Sequence, residues 1–310
     1  MDTKHYGLFF GMEAGTRLQK NATRSPYKEA LTLLEDQKPA ASLAQAQLYA
    51  FRHRLLEDAA AGRAAAALLP ELAEKGAGGF LQTVADTVVL AQCFELIREV
   101  PQQGAFLNTF FARVSDLNDT PEALGIVETL WLALLNMAAG VVLERESLFE
   151  KGVDVYRTAI DNEVHPEGYL PKAVDPYPEV QSLTNQIQAV QALVLMAEAA
   201  AHAGVDLWRY ENRGVSVRTA VTYPLYYYFY PEQWKWNGEP YKPSAGVPEE
   251  TARQLFRDHA GFLEIAAPHF EPPLKAIKLM LQDMRPVYDV YGGGLTTLTH
   301  AVPERRGLFG

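Results

Sequence analysis

The chain has 310 residues, 48% of them hydrophobic and 21% charged, and carries a formal net charge of −10. That is enough apolar material for a large core, and no linker, charge block or composition break divides it, so one domain over 1–310 is expected. The acidic balance argues against a broad nucleic-acid or anionic-membrane face, and no apolar run approaches the ~20 residues that a bilayer-spanning helix needs.

The pattern is helical almost throughout. Ala-rich amphipathic segments are expected over 26–34, 42–58, 60–75, 80–100, 104–114 and 121–142. Others follow over 146–162, 181–203, 207–228, 248–259 and 273–283. Apolar residues recur three and four apart, as in Leu90, Phe94 and Ile97, with Glu95 and Arg98 off that face, which favours helix over strand. Thr120-Pro121-Glu122 and Val247-Pro248-Glu249-Glu250 read as helix starts, with Pro and acids in the first turn. Gly204 suits a helix C-terminus, and Asp206 can cap the helix that follows. Periodicity alone leaves bundle, solenoid and toroid open, and no fixed repeat is present.

Two long irregular regions interrupt the helices. One, 163–180, carries Pro166, Pro171, Pro176 and Pro178; the other, 229–247, carries Tyr230, Trp234, Trp236 and Tyr241. Long loops in a compact domain either work at a site or cap helix ends. The single cysteine, Cys93, lies in an apolar run and reads as a buried, inert thiol. No Cys/His ligand set exists, so neither a metal nor a cofactor is expected. The opening Met1-Asp2-Thr3-Lys4-His5 does not lead into an apolar export segment, which predicts a cytoplasmic protein, or a periplasmic or secreted one if a signal has been removed.

The order of residues in 148–208 is the most telling feature. Leu148-Phe149-Glu150-Lys151-Gly152-Val153 leads to His165-Pro166-Glu167-Gly168-Tyr169-Leu170-Pro171, then to a long Ala/Leu/Gln helix that closes on Gly204-Val205-Asp206-Leu207-Trp208. This order resembles the alginate-lyase-type polysaccharide lyases. The opening His5-Tyr6-Gly7-Leu8-Phe9-Phe10 and the close Arg285-Pro286 with Tyr291-Gly292-Gly293-Gly294-Leu295-Thr296 are similar to that family's ends. The resemblance implies an all-α fold, an incomplete (α/α) toroid of antiparallel helical hairpins. It also implies cleavage of acidic polysaccharides by β-elimination, in which an Asn/His pair neutralises the uronate carboxylate, a Tyr shuttles protons and an Arg supports the anion.

Carried across by spacing, those roles fall on other residue types. Trp131 matches the family's Trp, which puts Ile126, Val127 and Glu128 on its Asn, Asn and His. Counting back from Leu207 puts Gln181 on the Arg, Asn185 on the Tyr and Gln186 on the following His. An acid at Glu128 would repel a uronate. Three readings stay open: a uronate lyase with a rearranged site, a glycoside hydrolase using Glu128 and a second carboxylate, and a non-catalytic sugar-binding protein.

The residues themselves suggest candidates. Glu128, in an apolar helix, is either a buried general acid or a solvated polar-face residue. His165 in its loop is an acid/base candidate, and Tyr169 and Tyr177 can replace the missing proton-shuttle Tyr. Gln181, Asn185 and Gln188 share one helix face, which Gln191 extends; amides suit sugar hydroxyls because they donate and accept at once. Trp234 and Trp236 are stacking candidates, whereas Tyr223, Tyr226 and Tyr227 are expected to pack. Arg52, beside His53 and Arg54, can bind a carboxylate. The expected partner is an acidic or neutral oligosaccharide or polysaccharide, with oligomeric state left open.

Overall fold

Hydrophobic periodicity sets the helices, and their burial sorts them into two layers. The computed structural model describes residues 5–36, 42–75, 78–101, 103–120, 123–239 and 241–303. In chain order the helices are α1 (Met12–Asn21), α2 (Tyr27–Asp36), α3 (Ser42–Leu56), α4 (Ala59–Glu74), α5 (Phe80–Leu96), α6 (Gly104–Asn118), α7 (Ile126–Val142) and α8 (Glu146–Asn162). They continue as α9 (Pro171–Val174), α10 (Glu179–His202), α11 (Val217–Phe229), α12 (Glu249–Asp258), α13 (Gly261–Ala266), α14 (Lys275–Met284) and α15 (Thr296–His300). The only strands among the described residues are β1 (Glu211–Asn212) and β2 (Val215–Ser216).

The expected helix over 207–228 is interrupted. Its first part forms a β1–β2 hairpin, with Asn212 opposite Val215. The two loop residues, Arg213 and Gly214, have φ of 53° and 75°, the paired left-handed geometry of a two-residue hairpin turn. The helix expected from Pro121 begins instead at Ile126, with Gly125 as N-cap; Pro121 and Glu122 lie outside the described residues. Helices α1, α9, α13 and α15 were not foreseen from periodicity; α9 is a single turn inside the irregular region 163–180. The last two are short and buried on every side, so they show no polar face to give a period.

Burial around α5, α7, α10 and α13 is nearly complete, as for helices in the middle of a protein. Helices α4, α6, α8, α12 and α14 bury one stripe only. This is the double ring of an (α/α) toroid. The inner helices α3, α5 and α7 run the same way, because their C-terminal ends meet. Arg54 reaches the Glu95 carbonyl and the Glu99 carboxylate, and Arg98 reaches the Val141 and Val142 carbonyls. Near the other end the Trp131 indole donates to the Gln188 carbonyl at 3.1 Å, which ties α7 to α10. Outer α8 returns antiparallel to α7, packed so closely that a side chain on Gly140 would strike the Phe149 backbone.

At the C-terminal ends of the inner helices, buried glutamates are each satisfied by several partners, at least one of them from a distant segment. Glu95 (1% exposed) holds Arg98 and His5. Glu264 accepts from Arg285 and from Thr297. Glu198 accepts from the Trp208 indole at 3.0 Å and is ringed by His202, His269 and His300. Arg17 of α1 and Tyr27 of α2 donate to the carbonyls of Thr299 and Ala301. Both ends of the described chain are thereby fastened to the ring.

The centre of the toroid is filled by the segment 286–295, clasped by amides from the inner helices. Gln47 Nε2 donates to the Val290 carbonyl at 2.9 Å and to Gln92 Oε1 at 2.8 Å, and Gln92 Nε2 donates to the Gly293 carbonyl at 2.8 Å. The glycine run is what lets it fit. A Cβ on Gly292 would strike Asp289 and Gln191, and Gly294 (φ 81°) lies against the Phe51 ring.

Candidate active site

Both irregular regions lie at the N-terminal end of the inner ring. The antiparallel return of α8 delivers 163–178 there, and α11 delivers 230–247. The two segments pack on α10 and on each other. The Trp236 carbonyl accepts from Ser182, the Glu179 carboxylate accepts from Ser244 and the Ala245 N–H, and Lys235 pairs with Glu167 at 3.6 Å. They form a rim above the mouth of the toroid.

An aromatic panel stands in that rim. Tyr169 stacks on His165 with centroids 4.4 Å apart, and Trp236 and Tyr223 lie 4.7 and 5.4 Å from it. Lys235 Nζ lies 4.9 Å from the Trp236 ring. The Trp236 indole donates to the Tyr223 hydroxyl at 2.9 Å. Burial, and then the charges of Glu167 and Asp175, push the Tyr169 phenol above its ordinary value, so it is protonated at neutral pH. The hydroxyls of Tyr169 and Tyr177 have no partner among the described residues.

The amide stripe on α10 is divided between structure and surface. Gln181 donates to Asn185 at 2.7 Å, and buried Asn185 donates to the Ala173 carbonyl at 3.3 Å. Gln186 accepts from Leu170 N–H at 2.9 Å and donates to the Gly168 carbonyl, which shapes the rim loop. Gln188 is half-buried, and its side-chain amide has no partner among the described residues.

Several candidates lie elsewhere or are otherwise engaged. Glu128 is half-buried, and its carboxylate accepts from the Gly125 N–H at 2.7 Å as the capping-box acid of α7. Its apolar neighbours in sequence face the core while it turns back over the helix end. Trp131 is 3% exposed, and Trp234 is 1% exposed with its indole spent on Ser182 Oγ at 2.7 Å. Neither ring has a face for a sugar, because in a two-layer ring the first turns of α10 are covered by the rim loop. Arg52 pairs with Asp58, the N-cap of α4, at 2.9 Å, near the C-terminal end of α3 and away from the mouth. Tyr226, expected to pack, is 50% exposed and stacks against Tyr230.

A polar cluster that sequence reasoning missed sits one turn below Gln188. Gln191 Nε2 donates to Asp289 Oδ2 at 2.9 Å, and Gln191 Oε1 faces His259 Nδ1 at 3.1 Å. Asp289 is buried and accepts three backbone N–H groups besides, from Gly261, Tyr291 and Gly292. Burial raises the Asp289 value, while nearby His259 and the backbone donors pull it back. Above it the Tyr291 hydroxyl meets Asp86 and Gln82 near the start of α5. Only the spacing of Gln188 and Gln191 on one helix face hints at this cluster; its other members are far away in sequence.

No group of His, Cys, Asp and Glu among the described residues has the arrangement of a metal site. A concavity of about 610 Å³ opens at the other end of α10, beside Trp208, Arg218 and His269. It is lined by none of the candidates above.

The comparisons with known proteins fit this geometry. The alginate lyase family model matches residues 128–234, from the first turn of α7 through the first rim loop to the start of the second. No curated protein matches the chain. Among solved structures, a histidine-to-alanine variant of alginate lyase A1-III complexed with tetrasaccharide is similar with a TM-score of 0.70 and 17% identity, over 91% of this chain and 82% of that one. Alginate lyase A1-III from Sphingomonas species A1 gives 0.69 and 16%, over 90% and 79%. An alginate lyase from Bacteroides ovatus gives 0.68 and 12%, over 96% and 99%. At these identities the structures show the fold, and the chain has the (α/α) toroid fold of the alginate lyase structures, with about a third of its length matching the alginate lyase family model.

Proposed function

We propose that this protein is a polysaccharide lyase that cleaves a uronate-containing glycan by β-elimination at the mouth of the toroid. The observation that carries the reading is the rim itself. An unpartnered amide, Gln188, lies on α10, the helix on which the rim packs with its aromatic panel of Tyr169 and Trp236 and with Lys235 beside it; Gln188 and Tyr169 fall within the stretch that matches the family. Sugar rings stack on such faces, and amide and ammonium donors suit a carboxylate whose charge grows as the C5 proton leaves.

Elimination needs donors for the carboxylate, a base for C5 and a proton for the departing oxygen. Gln188, with Gln181 at the same end of α10, would supply the donors. Tyr169 and Tyr177 would supply the proton, since their hydroxyls are free and the Tyr169 phenol holds its proton; His165 stacks on Tyr169. The hydrolytic alternative through Glu128 loses ground, because that carboxylate already closes the N-terminus of α7.

The test is incubation with uronate polymers and oligosaccharides, following ultraviolet absorbance of unsaturated ends together with reducing sugar. Both signals rising in step is the expected outcome. Reducing ends without absorbance would mean hydrolysis, and neither signal would leave a sugar-binding role.

A further inference from the structure

The reaction proposed above needs a base, and the cluster at Gln191 supplies the geometry for one. Asp289 accepts four hydrogen bonds and donates none, two on each oxygen. A carboxylate fits that pattern; a carboxylic acid would leave a proton without an acceptor. The carboxylate settles which way the Gln191 amide points: its NH₂ end must face Asp289, so its oxygen faces His259. An amide oxygen only accepts. His259 Nδ1, 3.1 Å away, therefore carries the proton when the ring is neutral, and Nε2 keeps its lone pair.

The Nε2 atom is free to act. It has no partner among the described residues, and it is not among the sealed polar atoms. Gln191 lies three residues past Gln188 on the same face of α10, about 4.5 Å further along the axis. A uronate whose carboxylate meets the Gln188 amide thus has its ring within reach of His259.

We infer that His259 is the general base of this site, held in its reactive tautomer by Gln191 and Asp289. The inference rests on the lyase reading. Nε2 takes the C5 proton, and the C–H electron pair becomes the C4=C5 double bond. The C4–O bond breaks, and the leaving oxygen takes a proton from the Tyr169 side or from water. The imidazolium then returns its proton to water. Gln191 and Asp289 are positioning residues in this scheme; neither touches substrate.

Two measurements test it on the intact chain. In a long-range ¹⁵N spectrum of the imidazoles at neutral pH, His259 should show a protonated Nδ1 and a bare Nε2. A proton on Nε2 would overturn the assignment whatever the activity. In kinetics on a uronate polymer that the wild type cleaves, H259A and H259N should each lower kcat by about 100-fold or more with little change in KM. H259N keeps a donor towards Gln191, so loss in H259A alone would assign His259 a structural role and overturn the proposal. Free imidazole should restore part of the H259A rate. A kcat within threefold of wild type in both variants would reject the base and leave the lyase reading intact. A wild type inert on every uronate polymer would remove both.

Discussion

The two ends of the inner ring are built on opposite terms. At the C-terminal ends, Glu95, Glu198 and Glu264 are sunk out of water, and every one is met by cations or N–H donors, at least one of them from a segment remote in sequence. At the N-terminal ends, the Gln188 amide, the Tyr169 and Tyr177 hydroxyls and His259 Nε2 have no partner among the described residues. Buried charge is tolerated only when paired, and it then locks one arrangement. Unspent polar groups stabilise nothing in the free protein and are available to a ligand. One end fastens the ring, and the other is left open for chemistry.

The sharpest way to break this contrast is to cut a fastening. Arg285→Ala strands Glu264, whose side chain is 0% exposed, and should cost about 3–5 kcal/mol in denaturant unfolding; a loss under about 1 kcal/mol would mean the end is not fastened as described. Trp234→Ala, which empties a core site, belongs on the same scale at about 3–5 kcal/mol. Trp236→Ala, two residues away, should lower stability far less, yet weaken binding of an oligosaccharide about tenfold in calorimetry, the loss of a stacked face.

Acid provides a graded version of the same comparison. Histidine partners hold Glu198 well below the ordinary carboxylate value despite its burial. The stability that it contributes is therefore present above its unfolded value, near 4.5, and is lost as pH falls towards its folded value. Unfolding midpoints should drop through that acid range in the wild type, and less steeply in Glu198→Gln. The smallest effect is reserved for Glu128. Glu128→Ala should cost about 1 kcal/mol of helix capping, and Glu128→Gln almost nothing, because Gln also completes a capping box. A large fall in catalysis with Glu128→Gln would restore that carboxylate to the reaction.

Much of the fastening was hidden in the sequence, whereas the rim was partly visible. Helices with a polar face, such as α8, are legible from spacing at both ends. The rim loops announced themselves by Pro166, Pro171, Pro176, Pro178 and the Trp residues. What the sequence withheld were decisions made by tertiary packing. Trp234 and Trp236 look alike two residues apart, but one faces Ser182 and the core, the other Tyr169. His259 ends α12 with no motif around it, and its partners are 68 and 30 residues away. Glu128 followed by its apolar run does carry a local signal, a glycine three residues before it, and that signal reads as a cap.

The segment 286–295 sets a condition on how the molecule can be made. Residues 286–295 leave the ribosome after every inner helix they fasten, so Gln47 and Gln92 wait in the nascent chain without the backbone they clasp, and Gln191 without the Asp289 carboxylate. Contacts of such long sequence separation form late and slowly. The ring can condense helix by helix, but its axle arrives last, and the imidazole of His259 gains its orientation only at that final step.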